Sequence, residues 1–311
     1  MQFAFAAQSF NEGPTNWGTE AGQLVAAKIN RNLGCDTLWM DAGWFEGNFP
    51  NGAGNWIPKR KEFPNGLKLI GEVCEKLGLR FLVWYEPERV CDNTQIALEH
   101  AEFVLPVHKP PATGGLFNLG DPAGRRWLSD LLISQLTDFH IHTYRNDFNM
   151  DPLSFWRQND SPERQGITEI RYVEGLYALW DEIRAKFPHM YLDDCASGGR
   201  RIDLEMIMRS VVQTRSDAAV APGRSDWHQS ETYGLNFFLP VHATIGWEVG
   251  AYECRSAATA GFCAEWDILD KKFPLVKART CISEMKANRK YWTGDYYPLT
   301  PWTMAPDRWM A

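Results

Sequence analysis

The sequence predicts a (β/α)8 barrel, and three patterns in the 311-residue chain lead to that prediction. Short apolar segments alternate with helical stretches, which is typical of a parallel sheet built from βα units. Eight such apolar segments can be counted, the number that closes a barrel of roughly 250 residues. Most of these segments end in an acidic residue, and the carboxyl ends of barrel strands are where active-site residues lie.

The ends of two helices mark where early strands begin. INRNLGCDTLWMDAGW and CEKLGLRFLVWYEPE share the order helix, Leu-Gly, apolar strand and acid. Gly34 and Gly78 suit these helix ends, because glycine adopts the left-handed conformation without a Cβ penalty. The eight predicted strands lie in QFAFAAQS, TLWM, RFLVWY, HTYRND, MYLDDCAS, SVVQTRSD, VHATIGWE and GFCAEWDI. TLWM and RFLVWY are continuously apolar, as expected for parallel strands buried on both faces.

Helices are predicted from Leu128 toward Ile141, where the chain becomes strand-like, and from Glu169 to Phe187. The connection from Phe45 to Phe63 and the run HKPPATGG are predicted to be surface excursions over the active-site face. No linker or low-complexity tract divides the chain. Residues 1–311 are therefore predicted to form a single (β/α)8 catalytic domain.

Composition and charge exclude several classes of function. The chain is 44% hydrophobic and 23% charged, which is ordinary for a globular protein. Its formal net charge of -7 argues against nucleic acid and anionic membranes as partners. No apolar run is long enough for a transmembrane helix. The opening stretch MQFAFAAQSFNEG lacks the basic region and apolar core of a signal peptide.

The cysteines predict reduced thiols in a cytoplasmic protein. Seven are scattered through mostly apolar segments, at Cys35, Cys74, Cys91, Cys195, Cys254, Cys263 and Cys281. They show no CxxC or Cys/His spacing, so no zinc site is predicted. There is also no GxGxxG or Walker motif for a phosphate-containing ligand. We expect the protein to work without a cofactor or a metal ion.

Six acidic residues are predicted to gather at the mouth of the barrel: Asp41, Glu86, Asp147, Asp194, Asp217 and Glu265. Two suitably placed carboxyl groups suffice for glycoside hydrolysis, one as nucleophile and one as acid and then base. Clustered carboxylates can instead bind a metal ion, usually with histidines nearby. The seven histidines are dispersed along the chain, so carboxylate chemistry is favoured over metal catalysis.

Six motifs occur in order along the chain: WMDAGWFEGNFPNGAGNW, FPNGLKLIGEVCEKLGLRFLVWYEPERV, NLGDPAGRRWL, YRNDFN, CASGGRRIDLEM and TRSD. Together they resemble the catalytic barrel of the melibiase group, glycoside hydrolase family 36. The resemblance runs from about Asp36 to Pro301. It implies a retaining α-glycosidase, most similar to α-galactosidases, that acts on a terminal α-linked sugar. The family's flanking β-domains are not expected within these 311 residues.

The resemblance also implies roles for individual residues. Asp147 matches the nucleophile at the strand end that reads K-W-D in the family, and Asp217 matches the acid/base of W-T-S-D. Arg145 stands where the family has lysine and would help keep Asp147 ionised. The predicted substrate-binding residues are Asp41, Trp44, Trp84, Arg145, Cys195, Ser197, Gly198 and Arg215.

Three positions depart from the family's motifs. Ala42 replaces the second acid of the D-D-G-W turn, Asn146 replaces the tryptophan of K-W-D, and Arg215 interrupts W-T-S-D. A lost acceptor at Ala42 and an added cation at Arg215 favour a substituted sugar over plain galactose. The alternative is that Arg215 pairs with a neighbouring carboxylate such as Asp194 and never meets the substrate.

Two other functions stay open at this point. One is a transglycosylase resembling raffinose synthases, which an aromatic-rich acceptor pocket would favour. The other is a non-catalytic sugar-binding barrel, against which the retention of both reacting acids argues. Apolar residues near the two ends of the chain are predicted to be exposed and would allow a homo-oligomer; they are Phe3, Phe5, Trp302, Met304 and Trp309.

Overall fold

The computed structural model describes residues 4–7, 18–105, 115–217, 221–239 and 241–311, with residues 4–7 described for the backbone alone. The strands in this part of the chain are β1 Ala4–Ala7, β2 Thr37–Met40, β3 Arg80–Tyr85, β4 Arg89–Val90, β5 Val104–Leu105, β6 Gly115–Phe117, β7 Thr143–Asn146, β8 Tyr191–Asp194, β9 Val212–Gln213, β10 Ala243–Gly246 and β11 Gly261–Ala264. The α-helices are α1 Glu20–Leu33, α2 Lys68–Leu77, α3 Gln95–Glu99, α4 Pro122–Asp138, α5 Leu153–Asn159, α6 Ile167–Lys186, α7 Leu204–Arg209, α8 Ser225–Leu235, α9 Ala251–Ser256 and α10 Leu275–Asn288.

Eight strands form one sheet, in the order β10-β11-β1-β2-β3-β7-β8-β9. Every neighbouring pair in this sheet is parallel. An isolated parallel bridge also pairs Thr214, which follows β9, with Ala243, the first residue of β10. The two strands at the ends of the order are thus brought together. All eight predicted strands are confirmed, and TLWM and RFLVWY coincide with β2 and β3.

Local capping explains where the first helices begin and end. The side chain of Thr19 accepts a hydrogen bond from the Gly22 N–H and starts α1. Gly34, with φ of 93°, ends α1, and Gly78, with φ of 65°, ends α2. Both glycines are left-handed as predicted, and each delivers the chain directly into a strand.

The strands of the sheet are buried on both faces. Leu38 and Met40 of β2 belong to a large core shared with the helices. Trp39, between them, packs instead with Leu82 and Cys263 in a separate small cluster. Successive side chains of a strand point to opposite faces, so the sheet separates these two cores. This two-sided burial is what the continuous apolar runs predicted.

The connection between β2 and α2 is in part the predicted surface excursion, with residues 46–48, 50 and 51 exposed, and in part packed into the core. Phe45, Trp56 and Phe63 in this connection are buried. The backbone carbonyl of Trp56 accepts a hydrogen bond from Gln135 Nε2 on α4, over 2.6 Å. The prediction is therefore confirmed only in part, because the aromatic side chains of this loop with many glycines and prolines face inward. The HKPPATGG run lies outside the described residues except for Gly115.

A second, small sheet lies between β3 and β7 and was not predicted. Its order is β4-β6-β5, and both pairings are antiparallel. Strands of two or three residues are too short to show the alternation from which strands are inferred. Gly115 is required at the start of β6, because a Cβ there would collide with the side chain of Val104.

Candidate active site

The carboxyl ends of the parallel strands surround a cavity of about 240 Å³. The side chains meet there because parallel strands all end at the same edge of a sheet. The lining residues are Trp39, Asp41, Ala42, Phe49, Trp84, Arg145, Asp147, Asn149, Cys195, Asp217, Ile245 and Glu265. The structure therefore brings together six of the predicted site residues, namely Asp41, Trp84, Arg145, Asp147, Cys195 and Asp217.

Asp147 follows β7 and is held by four hydrogen-bond donors. Trp84 Nε1 donates to Oδ2 over 2.9 Å, and Asn149 Nδ2 donates to the same oxygen over 2.7 Å. The backbone N–H of Phe148 donates to Oδ1 over 2.7 Å, and that of Ser197 over 3.3 Å. These donors come from three different parts of the fold. The carboxylate is therefore fixed in position and its ionised form is favoured.

The carboxyl groups of Asp147 and Asp217 have opposite pKa shifts. Burial raises the pKa of Asp147, but the Arg145 guanidinium and the hydrogen bonds from Asn149 and Trp84 outweigh this, so the pKa is lowered. Asp217 is partly exposed to solvent, and its partial desolvation raises the pKa; Arg145 opposes the rise and the negative charge of Asp147 adds to it. The pair is therefore biased toward one ionised and one protonated member, the condition for nucleophile and acid chemistry.

Arg145 is the buried cation of the cavity. It donates to the carboxylate of Asp193 on β8 and to Thr214 Oγ1, the latter over 2.7 Å. Its guanidinium also lies 4.4 Å from the centre of the Trp39 ring, a cation–π contact. Arg145 thus ties β7 to β8 and to the segment after β9. Among the described residues its buried Nε has no hydrogen-bond partner.

Asp41 lies at the end of β2 with its carboxylate oriented by its own neighbours. Trp39 Nε1 donates to Oδ2 over 2.9 Å, and the Ala42 N–H donates to Oδ1 over 2.8 Å. Burial raises the pKa of Asp41, and the charge of Arg145 opposes that rise. Ala42 lines the cavity beside it, so a methyl group stands where the motif of the family has a second acid.

The turn after β8 contacts both Asp147 and the segment that carries Asp217, and its residues Ser197 and Gly198 do not line the cavity as predicted. Gly198 has a φ of 81°, and a Cβ there would lie 2.6 Å from the Asp217 backbone nitrogen. It forms an antiparallel bridge with Ser216. Ser197 donates its backbone N–H to Asp147. This small turn therefore lets the Asp217 backbone approach, where a sugar was expected to do so.

Trp44 and Arg215 also lie outside the cavity, in contrast to the contacts predicted for them. Trp44 is fully buried behind Trp84, and its Nε1 donates to the Trp84 carbonyl over 2.9 Å. Arg215 is directed toward α8, where its Nε lies 2.8 Å from the carboxylate of Glu231. Arg215 therefore pairs with a neighbouring carboxylate, as the alternative prediction stated, but the partner is Glu231 and not Asp194. The cation expected in the cavity from Arg215 is absent from its lining.

Four of the six acids predicted at the mouth line the cavity, and Glu86 and Asp194 do not. Glu86 accepts hydrogen bonds from Arg89 Nε over 3.0 Å and from the Asn149 N–H. Asp194 lies 3.4 Å from Arg201. Burial raises the pKa of each carboxyl to about 7. These two acids act as buried partners of neighbouring cations.

Asn149 is a cavity residue that sequence reasoning missed. Its amide donates to Asp147, and its Oδ1 accepts from Ser197 Oγ over 2.8 Å. Glu86 accepts from the Asn149 N–H and orients the residue further. The available signal was its position, two residues beyond the predicted nucleophile in YRNDFN.

The departure at Asn146 belongs to a buried network beneath the cavity. Its Nδ2 donates to Glu88 Oε1 over 3.0 Å, and its Oδ1 accepts from Trp180 Nε1 over 3.1 Å. Arg201 and Tyr172 also donate to Glu88. The buried Glu88 carboxylate is thereby compensated. No local pattern predicts this network, because its members are far apart along the chain.

The described residues contain neither a cluster suited to a metal ion nor a helix suited to a membrane. No group of three or more His, Cys, Asp or Glu side chains within those ranges is arranged to hold a metal ion. In the same part of the chain, no helix combines the length and the apolar character needed to cross a membrane.

The family model of the melibiases matches residues 17–254, which is more than half of the 311-residue chain. The chain belongs to the melibiase family. This melibiase-family chain is 30% identical over 231 residues to α-galactosidase AgaA of Geobacillus stearothermophilus, covering 70% of the chain and 30% of AgaA. It is 27% identical over 233 residues to an α-galactosidase of Escherichia coli, covering 72% of the chain and 31% of that enzyme. The matched segments thus cover less than a third of the length of these relatives.

Solved structures of melibiase relatives share the fold. AgaA of Geobacillus stearothermophilus, in complex with 1-deoxygalactonojirimycin, superposes with a TM-score of 0.84 at 23% identity, covering 96% of this chain and 44% of AgaA. The α-galactosidase of Lactobacillus brevis gives a TM-score of 0.83 at 19% identity, covering 96% of this chain and 42% of that protein. Further AgaA variants were solved with stachyose and with raffinose.

Proposed function

We propose that this chain is a retaining α-glycoside hydrolase of the α-galactosidase type, with Asp147 as nucleophile and Asp217 as acid and base. The observation that carries the proposal is one cavity lined by both carboxyl groups, whose pKa values are shifted in opposite directions. The curated relatives are α-galactosidases. The AgaA complexes with stachyose and raffinose support α-galactoside oligosaccharides as the substrate class.

We also propose that the eight-stranded sheet closes into a (β/α)8 barrel. The bridge between Thr214 and Ala243 supports closure, and so does the hydrogen bond from the Arg215 N–H to the Ala243 carbonyl, over 3.4 Å. The small cluster of Trp39 with residues of β3 and β11 then fills the barrel interior. The cavity lies at the carboxyl ends of the strands, where barrel enzymes carry their catalytic groups.

In the first step, the ionised Asp147 attacks the anomeric carbon of the terminal sugar. The bond from that carbon to the glycosidic oxygen breaks as the bond to Asp147 forms. Asp217 donates its proton to the departing oxygen, which leaves as an alcohol. The donors on Trp84 and Asn149 hold the attacking carboxylate in place, and Arg145 keeps it ionised.

In the second step, Asp217 works in the opposite direction. Now ionised, it takes a proton from a water molecule, whose oxygen attacks the anomeric carbon and releases Asp147 as a carboxylate. Two successive inversions retain the configuration of the sugar. Retention requires the two carboxyl groups to lie about 5–5.5 Å apart. The close contact of the Gly198 turn with the Asp217 backbone supports such an approach.

Unmodified galactose is the sugar we propose for the cavity. The hypothesis of a substituted sugar rested on an added cation at Arg215 and on space at Ala42. Arg215 is paired with Glu231, which removes the first of these reasons. A cavity of about 240 Å³ is smaller than the ~300–1,000 Å³ pockets of drug-sized ligands. It suits one sugar ring, with the rest of an oligosaccharide outside.

The decisive experiment compares the wild-type chain with Asp147→Asn and Asp217→Asn on a panel of nitrophenyl α-glycosides. We expect the wild-type chain to hydrolyse the α-galactoside with retention of configuration. NMR of the first-formed product measures that configuration. Asp147→Asn should lower kcat/KM by about 10⁴-fold or more, because no covalent intermediate can form. Asp151→Asn is the matched control, since this exposed acid in the same loop does not line the cavity.

Three results would contradict the proposal. Inverted product would exclude double displacement. Near-normal activity of Asp147→Asn would exclude it as nucleophile. Preference for an N-acetylgalactosaminide, fucoside or uronide would restore the substituted-sugar hypothesis. Addition of sucrose to the same assay separates hydrolysis from transglycosylation, and binding of galactose without turnover would indicate a sugar-binding barrel.

A further inference from the structure

Arg215 belongs to a buried polar cluster on the far side of the Asp217 segment from the cavity. Its side chain is 1% exposed, and its Nε lies 2.8 Å from the Glu231 carboxylate. One terminal nitrogen donates to Thr232 Oγ1, and the other donates to the His228 carbonyl over 2.9 Å. All three partners belong to α8. A single side chain thus joins the segment after β9 to one helix.

Two histidines complete the surroundings of Arg215. The Nδ1 atoms of His228 and His242 lie 3.1 Å and 3.4 Å from its two terminal nitrogens. Burial lowers the pKa of His228 to about 4 and that of His242 to about 3, and the charge of Arg215 adds to both effects. Both rings are therefore neutral near neutral pH. Each Nδ1 can then accept a hydrogen bond, while Glu231 balances the charge.

The His242 ring is oriented to serve as such an acceptor. Its Nε2 lies 2.9 Å from Asn236 Oδ1. Because that oxygen can only accept, the ring proton resides on Nε2 and leaves Nδ1 free to receive a hydrogen bond from Arg215. The two terminal nitrogens of the guanidinium therefore face hydrogen-bond acceptors, while the Nε lies beside the Glu231 carboxylate as an ion pair without a hydrogen bond. A planar guanidinium holds its donors in a fixed geometry better than a lysine ammonium on its flexible side chain would.

The backbone on either side of Arg215 is tied to other parts of the fold. Thr214 bridges to Ala243 and receives a hydrogen bond from Arg145. Ser216 bridges to Gly198. Asp217 follows immediately and lines the cavity. These contacts hold the segment after β9 to the sheet and to the turn after β8. The Arg215 side chain adds the contact with α8.

We propose that Arg215 is a positioning residue that anchors the Asp217 segment to α8 and so sets where the Asp217 carboxyl lies in the cavity. This inference rests on the proposed role of Asp217 as acid and base. The family's W-T-S-D pattern has a short side chain at this position, which could not span to Glu231. The anchor is therefore a feature of this chain's own residues.

The leaving group reveals whether an acid is correctly placed. A poor leaving group, such as methanol from a methyl glycoside, needs the proton that Asp217 supplies. A good one, such as 2,4-dinitrophenolate, departs without it. General acid catalysis contributes about 10²–10⁴-fold, and a displacement of about 1 Å can cost 10²-fold. Loss of the anchor should therefore slow the methyl glycoside selectively, whereas general damage slows both substrates alike.

The experiment measures kcat/KM on methyl and 2,4-dinitrophenyl α-galactosides for Arg215→Met and for the milder Thr232→Val. We expect Arg215→Met to lower the methyl-to-dinitrophenyl ratio by about tenfold or more. Thr232→Val should change it in the same direction by less. In an Asp217→Asn background, Arg215→Met should change the ratio no further. Arg255→Met is the control, because it breaks an exposed pair with Glu284, at 2.6 Å, remote from the cavity.

The outcomes separate the two proposals. A ratio that falls in Asp217→Asn but stays at the wild-type value in Arg215→Met overturns the positioning role alone. An equal loss on both substrates does the same, since it indicates general damage. If Arg215→Met does not fold, the ratio in Thr232→Val decides in its place. An unchanged ratio in Asp217→Asn overturns the acid/base assignment and the inference with it, as does a wild-type chain that hydrolyses neither glycoside.

Discussion

At the scale of single residues, the chemistry of Asp147 is set by donors that other segments supply. Trp84 donates to it from β3, and Asn149 donates to it from the loop after β7. Each donor stabilises the charged form, and Arg145 adds its positive charge. A carboxylate without these neighbours would titrate higher, because burial alone raises its pKa. The protonation state of the proposed nucleophile therefore depends on its surroundings.

Trp84→Phe tests this dependence. The variant keeps an aromatic ring but removes the Nε1 donor to Asp147, a bond of 2.9 Å. With one fewer donor to the carboxylate, the pKa of Asp147 rises, and the acidic limb of the kcat/KM profile moves to higher pH. The alkaline limb, set by Asp217, should stay in place. Hydrogen bonds to charged groups are worth about 1.5–3 kcal/mol, so the plateau should fall about tenfold or more.

The matched control is Trp302→Phe. Its Nε1 donates to Ser230 Oγ over 2.9 Å, outside the cavity. This variant loses an equivalent hydrogen bond and should keep the wild-type pH profile. An unchanged acidic limb in Trp84→Phe would show that this donor does not govern the ionisation of Asp147.

At the scale of elements, the turn after β8 sets the distance between two strand ends. Gly198 has a positive φ, and a Cβ on it would lie 2.6 Å from the Asp217 nitrogen and 2.8 Å from Ser216 Cα. Both atoms are backbone atoms and cannot rotate away. The turn and the Asp217 segment can approach this closely because no side chain separates them.

Gly198→Ala should displace the Asp217 segment. A left-handed alanine costs about 1–2 kcal/mol, and the overlap adds a further strain of about 1–3 kcal/mol. A shift of about 1 Å in the acid/base can cost about 10²-fold in kcat/KM. Thermal unfolding and kinetics on an α-galactoside measure the two effects separately.

Gly78→Ala is the control for Gly198→Ala. Gly78 also has a positive φ, of 65°, but a Cβ there would meet nothing within 4 Å. Gly78→Ala should be less stable by about 1–2 kcal/mol, the cost of a left-handed alanine, and should keep full activity. If both variants were equally active, the turn would not set the place of Asp217.

At the scale of the whole molecule, large apolar side chains near residue 311 remain exposed. Trp302, Met304 and Trp309 are 55%, 42% and 92% exposed. Their exposure agrees with the prediction for this end. At the other end, Phe3 lies outside the described residues, and so does the side chain of Phe5. Exposed apolar groups of this size favour self-association.

Trp309→Ser should reduce association without affecting stability. The side chain is nearly fully exposed, so its removal should change the free energy of unfolding by no more than about 0.5 kcal/mol. Light scattering over a concentration series should show a smaller average mass than for the wild-type chain. Leu98→Ser, at a position 71% exposed on α3, provides the comparison for a solitary apolar side chain. Equal association of all three proteins would exclude Trp309 as a contact.

Local patterns were sufficient to predict the strands and the acids at their ends. Gly34 and Gly78 end their helices as predicted, since a left-handed glycine is a local requirement. Asp41, Asp147 and Asp217 meet in one cavity because a parallel sheet brings all strand ends to the same edge. Continuous apolar runs indicated burial on both faces, which the two separate cores confirm.

By itself, then, the sequence determined the alternation of strands and helices, the melibiase resemblance and the identity of the acids at the strand ends, because each depends on residues close together in the chain. The tertiary structure alone decided which way each side chain points. Arg215 is directed to Glu231 and Trp44 lies behind Trp84. Asn149 reaches Asp147, and Gly198 meets Asp217. The partners of Arg215, Trp44 and Gly198 come from other elements, and their approach depends on how strands and helices pack, which no local pattern records.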